Sequence, residues 1–203
     1  MKYRDDQTDC RGNLGFSSEV LSSFYFLIKD YNFKCVKANT TFVRYESKFL
    51  FIIIYHGRRS YELEVEIGKL EENQNIPENG YTIGEVMELF DVRKDFKFTF
   101  FQASCKSQVQ ILVRELADYV RSYATPILDG DFEILEKLRN FRQVKSDAYI
   151  RQMNLRNIRE MAEVAWRQKD YAKYVDLYNS VKDDLTLIEE KKLHYAVKKI
   201  RAD

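Results

Sequence analysis

The feature that most constrains this chain is a change of rhythm between Phe49 and Ile67. Phe49-Leu50-Phe51-Ile52-Ile53-Ile54-Tyr55 is apolar throughout, whereas Ser60-Tyr61-Glu62-Leu63-Glu64-Val65-Glu66-Ile67 alternates polar, mainly acidic, residues with apolar ones. The first pattern fits a central strand with both faces at least partly covered, the second a strand with one dry and one wet face. A two-residue turn at Gly57-Arg58 would pair His56 with Arg59, Ile54 with Tyr61, Ile52 with Leu63 and Leu50 with Val65. A second turn at Ser47-Lys48 would set Tyr45 opposite Leu50 and Val43 opposite Ile52. The predicted element is a three-stranded antiparallel meander whose core face carries Val43, Tyr45, Leu50, Ile52, Ile54, Tyr61, Leu63 and Val65.

On this register the opposite face carries Phe42, Arg44 and Glu46, then Phe49, Phe51 and Ile53, then Glu62, Glu64 and Glu66, with Arg44, Phe51 and Glu64 in one row. A fully solvated face has no need of the Phe-Phe-Ile line, and a fully buried one does not tolerate three glutamates. Two readings follow. Either a helix covers part of the face while the glutamates reach water at its edge, or an aromatic strip with an acidic border receives a partner. On the second reading Arg44, Phe51, Glu62, Glu64 and Glu66 are the candidate partner-binding residues. A one-residue slip in either turn would exchange the two faces.

The flanking sequence supplies helices. Residues 1–15 are polar and read as a loosely held start. Ser17 or Ser18 can cap a helix with Val20, Leu21, Phe24, Leu27 and Ile28 at helical spacing, and Phe33 to Val36 can add a strand. Residues 71–80 read as a loop, Thr82 with Glu85 as a capping box for a helix through Phe90, 97–103 as a strand, and Ser107 onward as a helix. The fold class is therefore α+β, an antiparallel β-meander packed by helices over residues 1–125, followed by an all-helical C-terminal part over 126–203. Within 126–203, a helical segment runs from Pro126 to Phe141, another carries Ile150 to Trp166, Lys169-Asp170 breaks the pattern, and Thr186 with Glu189 forms a second capping box.

Composition narrows the function classes. The 203 residues are 45% hydrophobic and carry a net charge of +1, so nothing draws the whole chain to nucleic acid or to an acidic membrane. No apolar run approaches the ~18 residues of a span, and no basic-then-apolar pattern is visible in the sequence, so neither a membrane span nor a signal peptide is expected from it. Cys10, Cys35 and Cys105 are scattered and odd in number, which points to reduced thiols and a cytoplasmic location. His56 and His194 are the only histidines, and neither metal-ligand spacings nor glycine-rich phosphate loops occur. His56, at a hairpin end, reads as a solvated residue, and Cys105 lacks a legible activating environment. Glu62, Glu64 and Glu66 could imitate a magnesium-holding nuclease strand, but alternation explains them better. No catalytic residue, metal or cofactor is expected.

Two looser features remain. The segment 137–159 holds Lys137, Arg139, Arg142, Lys145, Arg151, Arg156 and Arg159 and could meet a phosphate backbone, but its cations fall on several sides of a helix. Ala162-x-x-x-Trp166-x-x-Lys169-Asp170-Tyr171-x-Lys173 is similar to the turn of a tetratricopeptide-type hairpin, without a second copy and with Tyr174 where a small residue is expected. Finally, Arg59-Ser60-Tyr61-Glu62-Leu63-Glu64-Val65, Tyr81-Thr82-Ile83 and Leu185-Thr186 to Lys191-Lys192-Leu193 give the chain a look that resembles small bacterial α+β proteins, immunity proteins of polymorphic toxin systems among them. That resemblance implies a non-enzymatic, stoichiometric inhibitor whose protein partner is a toxin domain, and it assigns no functional residue. The alternatives are a nucleic-acid-associated protein using the 137–159 segment and an adaptor of a bacterial assembly.

Overall fold

The computed structural model describes residues 14–70, 80–90 and 101–201, and the chain divides into two compact units, Met1–Phe141 and Arg142–Asp203. Most of the polar start, nearly all of the 71–80 loop and the beginning of the 97–103 strand lie outside the described residues.

In the first unit, strands β1 (Lys34–Asn39), β2 (Phe42–Glu46), β3 (Leu50–His56), β4 (Leu63–Lys69) and β5 (Gly80–Thr82) form one antiparallel sheet in the order β1-β2-β3-β4-β5. The α+β class is as the sequence predicts; the register is not. Tyr45 meets Ile52 rather than Leu50, two residues on, and Ile54 meets Val65 rather than Tyr61, four residues on. Both turns are longer than the two-residue kind. Ser47 closes the first, its amide donating to the Leu50 carbonyl at 2.9 Å while its hydroxyl accepts from the Leu50 amide at 3.1 Å. The second spans Gly57 to Glu62, where the Gly57 amide donates to the Glu62 carbonyl at 2.7 Å and Tyr61 takes the left-handed region at φ +58°. A Cβ at 57 would meet the Ser60 hydroxyl, so a larger residue there would force Ser60 into another rotamer. Both displacements are even, and in a period-two element an even shift leaves every side chain on its face.

The core face of the sheet is therefore the expected one, with Val43, Tyr45, Ile52, Ile54, Leu63 and Val65 buried and Ile67 added to them. Helices α1 (Phe16–Ser23), α2 (Tyr25–Tyr31), α3 (Ile83–Leu89) and α4 (Lys106–Tyr123) supply the other half of the core, through Phe16, Val20, Leu27, Val86, Val113 and Leu116 among others. Each such apolar side chain contributes about 1.5–3 kcal/mol on burial. Helix α1 starts behind Gly15 at φ +69°, not behind Ser17 or Ser18; the Ser18 hydroxyl instead donates to the Gly15 carbonyl at 2.8 Å. The capping box of α3 is present as expected, with the Glu85 amide donating to Thr82 Oγ1 at 3.2 Å and the Thr82 amide to Glu85 Oε2 at 2.9 Å. Helix α5 (Thr125–Leu128) and the start of α6 (Glu133–Arg167) place Ile127, Ile134, Leu135 and Leu138 in this same core, so the 126–141 segment packs with the sheet unit.

Helix α6 is one 35-residue helix where the apolar pattern suggests two pieces. No glycine or proline lies between 133 and 167, so nothing stops the helix, and its polar middle is simply solvated. In the second unit α6 meets α7 (Tyr171–Asn179) and α8 (Leu187–Ile200) around a small core of Ala162, Ala165, Tyr174, Tyr178 and Ala196. The alanines let tyrosine rings approach the helix backbones. Helix α6 ends in a Schellman motif at the expected break: Lys169 sits at φ +58°, its amide donates to the Trp166 carbonyl at 3.0 Å, and the Asp170 amide donates to that of Ala165 at 2.9 Å. Tyr174, where a tetratricopeptide turn would place a small residue, is buried 5.0 Å from the Trp166 ring centre. No described helix is long and apolar enough to cross a membrane.

Candidate functional site

The second face of the sheet is where the sequence placed its candidate residues, and the longer turns rearrange them. Arg44 lies beside Ile53 and then Glu66, Phe51 beside Glu46 and Gly68, and Glu64 beside Tyr55. The expected row of Arg44, Phe51 and Glu64 does not form. Arg44 still reaches Phe51 diagonally, with its guanidinium 4.7 Å from the ring centre, while its Nε donates to Glu46 Oε1 at 2.6 Å. Phe51 is 1% exposed. It acts as a platform for Arg44 and presents no ring of its own to solvent. Phe49 alone on the aromatic line is open, at 48% exposure, with its ring edge-on to Phe132 at 5.9 Å.

The acidic border converges on one tyrosine. Glu64 and Glu66 project from β4 on this face, and Glu62 ends the preceding loop, paired with Gln102 in a single antiparallel bridge. Two further bonds fix that loop end: the Leu63 amide donates to the Phe101 carbonyl at 2.7 Å and the Ala103 amide to that of Tyr61 at 2.9 Å. All three glutamates are half-buried. Glu64 Oε1 accepts from the Val65 amide at 3.1 Å, and the Glu66 side chain fills the space over Gly80, where a Cβ would come within 2.9 Å of its Oε2. Burial, together with the negative charges of Glu64, Glu66 and Glu62, pushes the Tyr55 phenol up to about 12. The phenol thus stays a hydrogen-bond donor among carboxylates. Tyr55 was absent from the sequence-predicted site, although its parity with Phe51 and Ile53 places it on this face.

Other candidates resolve differently. His56 is a core residue, 1% exposed, between Phe16 and Tyr61 at ring-centre distances of 5.5 and 5.8 Å. Its Nε2 lies 2.9 Å from the Ala103 carbonyl, which only accepts, so Nε2 carries the hydrogen. This corrects the expectation of a solvated histidine: the long loop folds over the strand end and closes it. Cys105 is an exposed thiol at the start of α4, 3.2 Å from the Ser107 hydroxyl, and that hydrogen bond with the Gln108 amide lowers its pKa. Among the described residues no group of three or more His, Cys, Asp or Glu side chains could hold a metal ion.

The basic segment of α6 is largely committed to carboxylates. Arg151 makes a two-pronged contact with Asp184 at 3.0 and 2.7 Å, and Arg159 another with Glu189 at 2.7 and 3.1 Å. Arg139 pairs with Glu136 and Arg156 with Glu160 along the helix. A phosphate strand would compete with these partners for the arginines. In comparisons with known protein families, curated proteins and solved structures, nothing matches this chain.

Proposed function

We propose that this chain is a non-enzymatic protein-binding module, most concretely an immunity-type inhibitor that occludes the active site of a toxin domain. The observation that carries the reading is the acidic run of Glu62, Glu64 and Glu66 along one strand edge, with Glu64 directly opposite Tyr55 and Glu66 opposite Ile53 in the β3–β4 register. Successive same-face residues on a strand stand roughly 6.6 Å apart, so Glu64 and Glu66 form a short ladder of negative charges, with Glu62 at the loop end beside it. Such a ladder on a rigid sheet suits a basic cleft that ordinarily holds successive phosphates. Complementary charge speeds encounter, and the Tyr55 hydroxyl supplies one directional donor among acceptors. Arg44, fixed by Phe51 and Glu46, bounds the acidic patch on its β2 side and sets the orientation of the partner.

The test begins with affinity capture of the tagged full chain from its native cells. Expected is a stoichiometric partner with an enzymatic domain whose activity is abolished by one equivalent of this protein. The variant E62K/E64K/E66K should keep its circular dichroism spectrum and lose inhibition. Capture of no enzymatic partner, or full inhibition by the triple variant, sinks the proposal.

A further inference from the structure

At the turn between α6 and α7, against α8, the helical unit carries an open surface groove of about 550 Å³, within the size range of small-molecule sites, roughly 300–1,000 Å³. Its wall is aromatic. The ring centres of Trp166, Tyr171 and Tyr195 lie 5.7, 5.8 and 6.0 Å from one another, and Tyr195 is 47% exposed. Its rim is cationic, formed by Arg167, Lys169, Lys191 and Lys192, with no carboxylate in the lining. Glu163 holds both Arg167, at 3.2 Å, and Lys192, at 4.0 Å; the Lys192 ammonium stands 5.3 Å from the Trp166 ring centre and that of Lys199 5.6 Å from the Tyr195 ring centre. Lys169 and Lys191 form no ion pair among the described residues.

Each simpler ligand leaves part of this lining unused. A cation suits the rings but is repelled by Lys169 and Lys191, which no carboxylate offsets among the described residues. An inorganic anion satisfies the lysines and ignores the rings. An acidic peptide backbone offers no π-face to Trp166 or Tyr195. A planar heterocycle carrying phosphate uses both, by stacking and by charge, as single-stranded nucleic-acid sites do. Lys169 adds an independent point: it occupies a left-handed position, φ +58°, that glycine fills without strain, and so places an ammonium at the rim against backbone preference. We infer that this groove is a binding site for a nucleoside phosphate, with Trp166 and Tyr195 against the base and Lys169 and Lys191 on the phosphates. It lies in the helical unit and does not depend on the inhibitor reading of the sheet face.

The chain supplies its own reporter, since Trp166 is its single tryptophan. Emission of the full-length protein is followed during titration with ADP, adenosine, inorganic pyrophosphate and a five-residue deoxyadenosine oligonucleotide. ADP or the oligonucleotide should give a saturable change, with adenosine and pyrophosphate each at least ~10-fold weaker and affinity falling with salt. Tighter binding of the oligonucleotide than of ADP identifies a strand as the source of the nucleotide; equal or weaker binding identifies the free form. The variant K169E/K191E should lose binding by ~100-fold at unchanged helicity, about two contacts' worth. The variant K169G should melt higher than the parent yet bind more weakly, which separates folding from recognition. Absence of a saturable change with both nucleotides, undiminished binding by K169E/K191E, or an equal response to a decaglutamate peptide overturns the assignment.

Discussion

The sheet unit buries branched aliphatics such as Ile52, Ile54, Val65 and Val113 in one continuous core, whereas the helical unit buries three alanines and two tyrosines and ties its helices through Glu189. Residues 1–141 hold 19 bases and 22 acids, net −3; residues 142–203 hold 14 and 10, net +4. Glu189 accepts from Arg159 of α6, from Tyr178 of α7 at 3.4 Å and from the Thr186 amide of its own cap at 2.7 Å. Partial burial opposes its ionisation, but those donors outweigh it and bring its pKa down to about 2. Each unit is therefore vulnerable in its own way. Apolar packing responds to lost volume; a small core held by an ionised carboxylate responds to lost charge.

The largest expected effect probes the first of these. Ile52→Ala should cost about 3–4 kcal/mol of the sheet unit's stability, seen in hydrogen exchange of the β3 amides, with a cost under about 1 kcal/mol showing a core that collapses around the gap. Next, Glu189→Gln should cost the helical unit on the order of 2 kcal/mol at pH 7, read by urea unfolding through Trp166 emission. The sign is set by a folded pKa depressed from 4.5 to about 2: the stabilisation is complete above pH 4.5 and disappears as pH falls towards 2. Wild type and variant should therefore converge in acid, and parallel curves from pH 5 to 2 would remove Glu189 from the account. Tyr45→Phe should stabilise the sheet unit by about 1 kcal/mol, because the fully buried Tyr45 hydroxyl has no hydrogen-bond partner among the described residues. A loss in thermal melting would reveal that the hydroxyl is used. Smallest, Lys169→Gly should raise helical-unit stability by about 0.5–1 kcal/mol through relief of the left-handed lysine, and no gain would show the turn to be unstrained.

Much of the sheet was legible because alternation decides faces without deciding partners. Leu63, Val65 and Ile67 belong on the core face in any register that differs by an even number of residues. The partners depend on turn chemistry, and nothing local announces that Tyr61 adopts φ +58° or that residues 57–62 form a six-residue loop. The same loop explains why His56 could not be placed: its burial comes from Phe16 and Ala103, both about 40 or more residues distant in the chain. Phe51 and Arg44 were found by pattern, but whether they face solvent depends on what packs over them, which pattern does not encode. In the helical unit the two cap sequences and the Lys169-Asp170 break were readable from local signals. The Arg151–Asp184 and Arg159–Glu189 pairs were not, because partners 33 and 30 residues apart meet only once the helices pack.

The margins of the sheet bear on self-assembly. Strand β1 lies at one edge with all six residues exposed, and its pairing with β2 is broken by an extra residue between Cys35 and Lys37. Lys34 and Lys37 place charge where an incoming strand would have to register, and at the opposite margin β5 is only three residues long. An irregular, lysine-bearing edge is a poor template for lateral addition, so the hydrophobic run of β3 is shielded from amyloid-like stacking by its neighbours on both sides. Removing Val36 would straighten the edge and is expected to make it a better template for edge-to-edge growth.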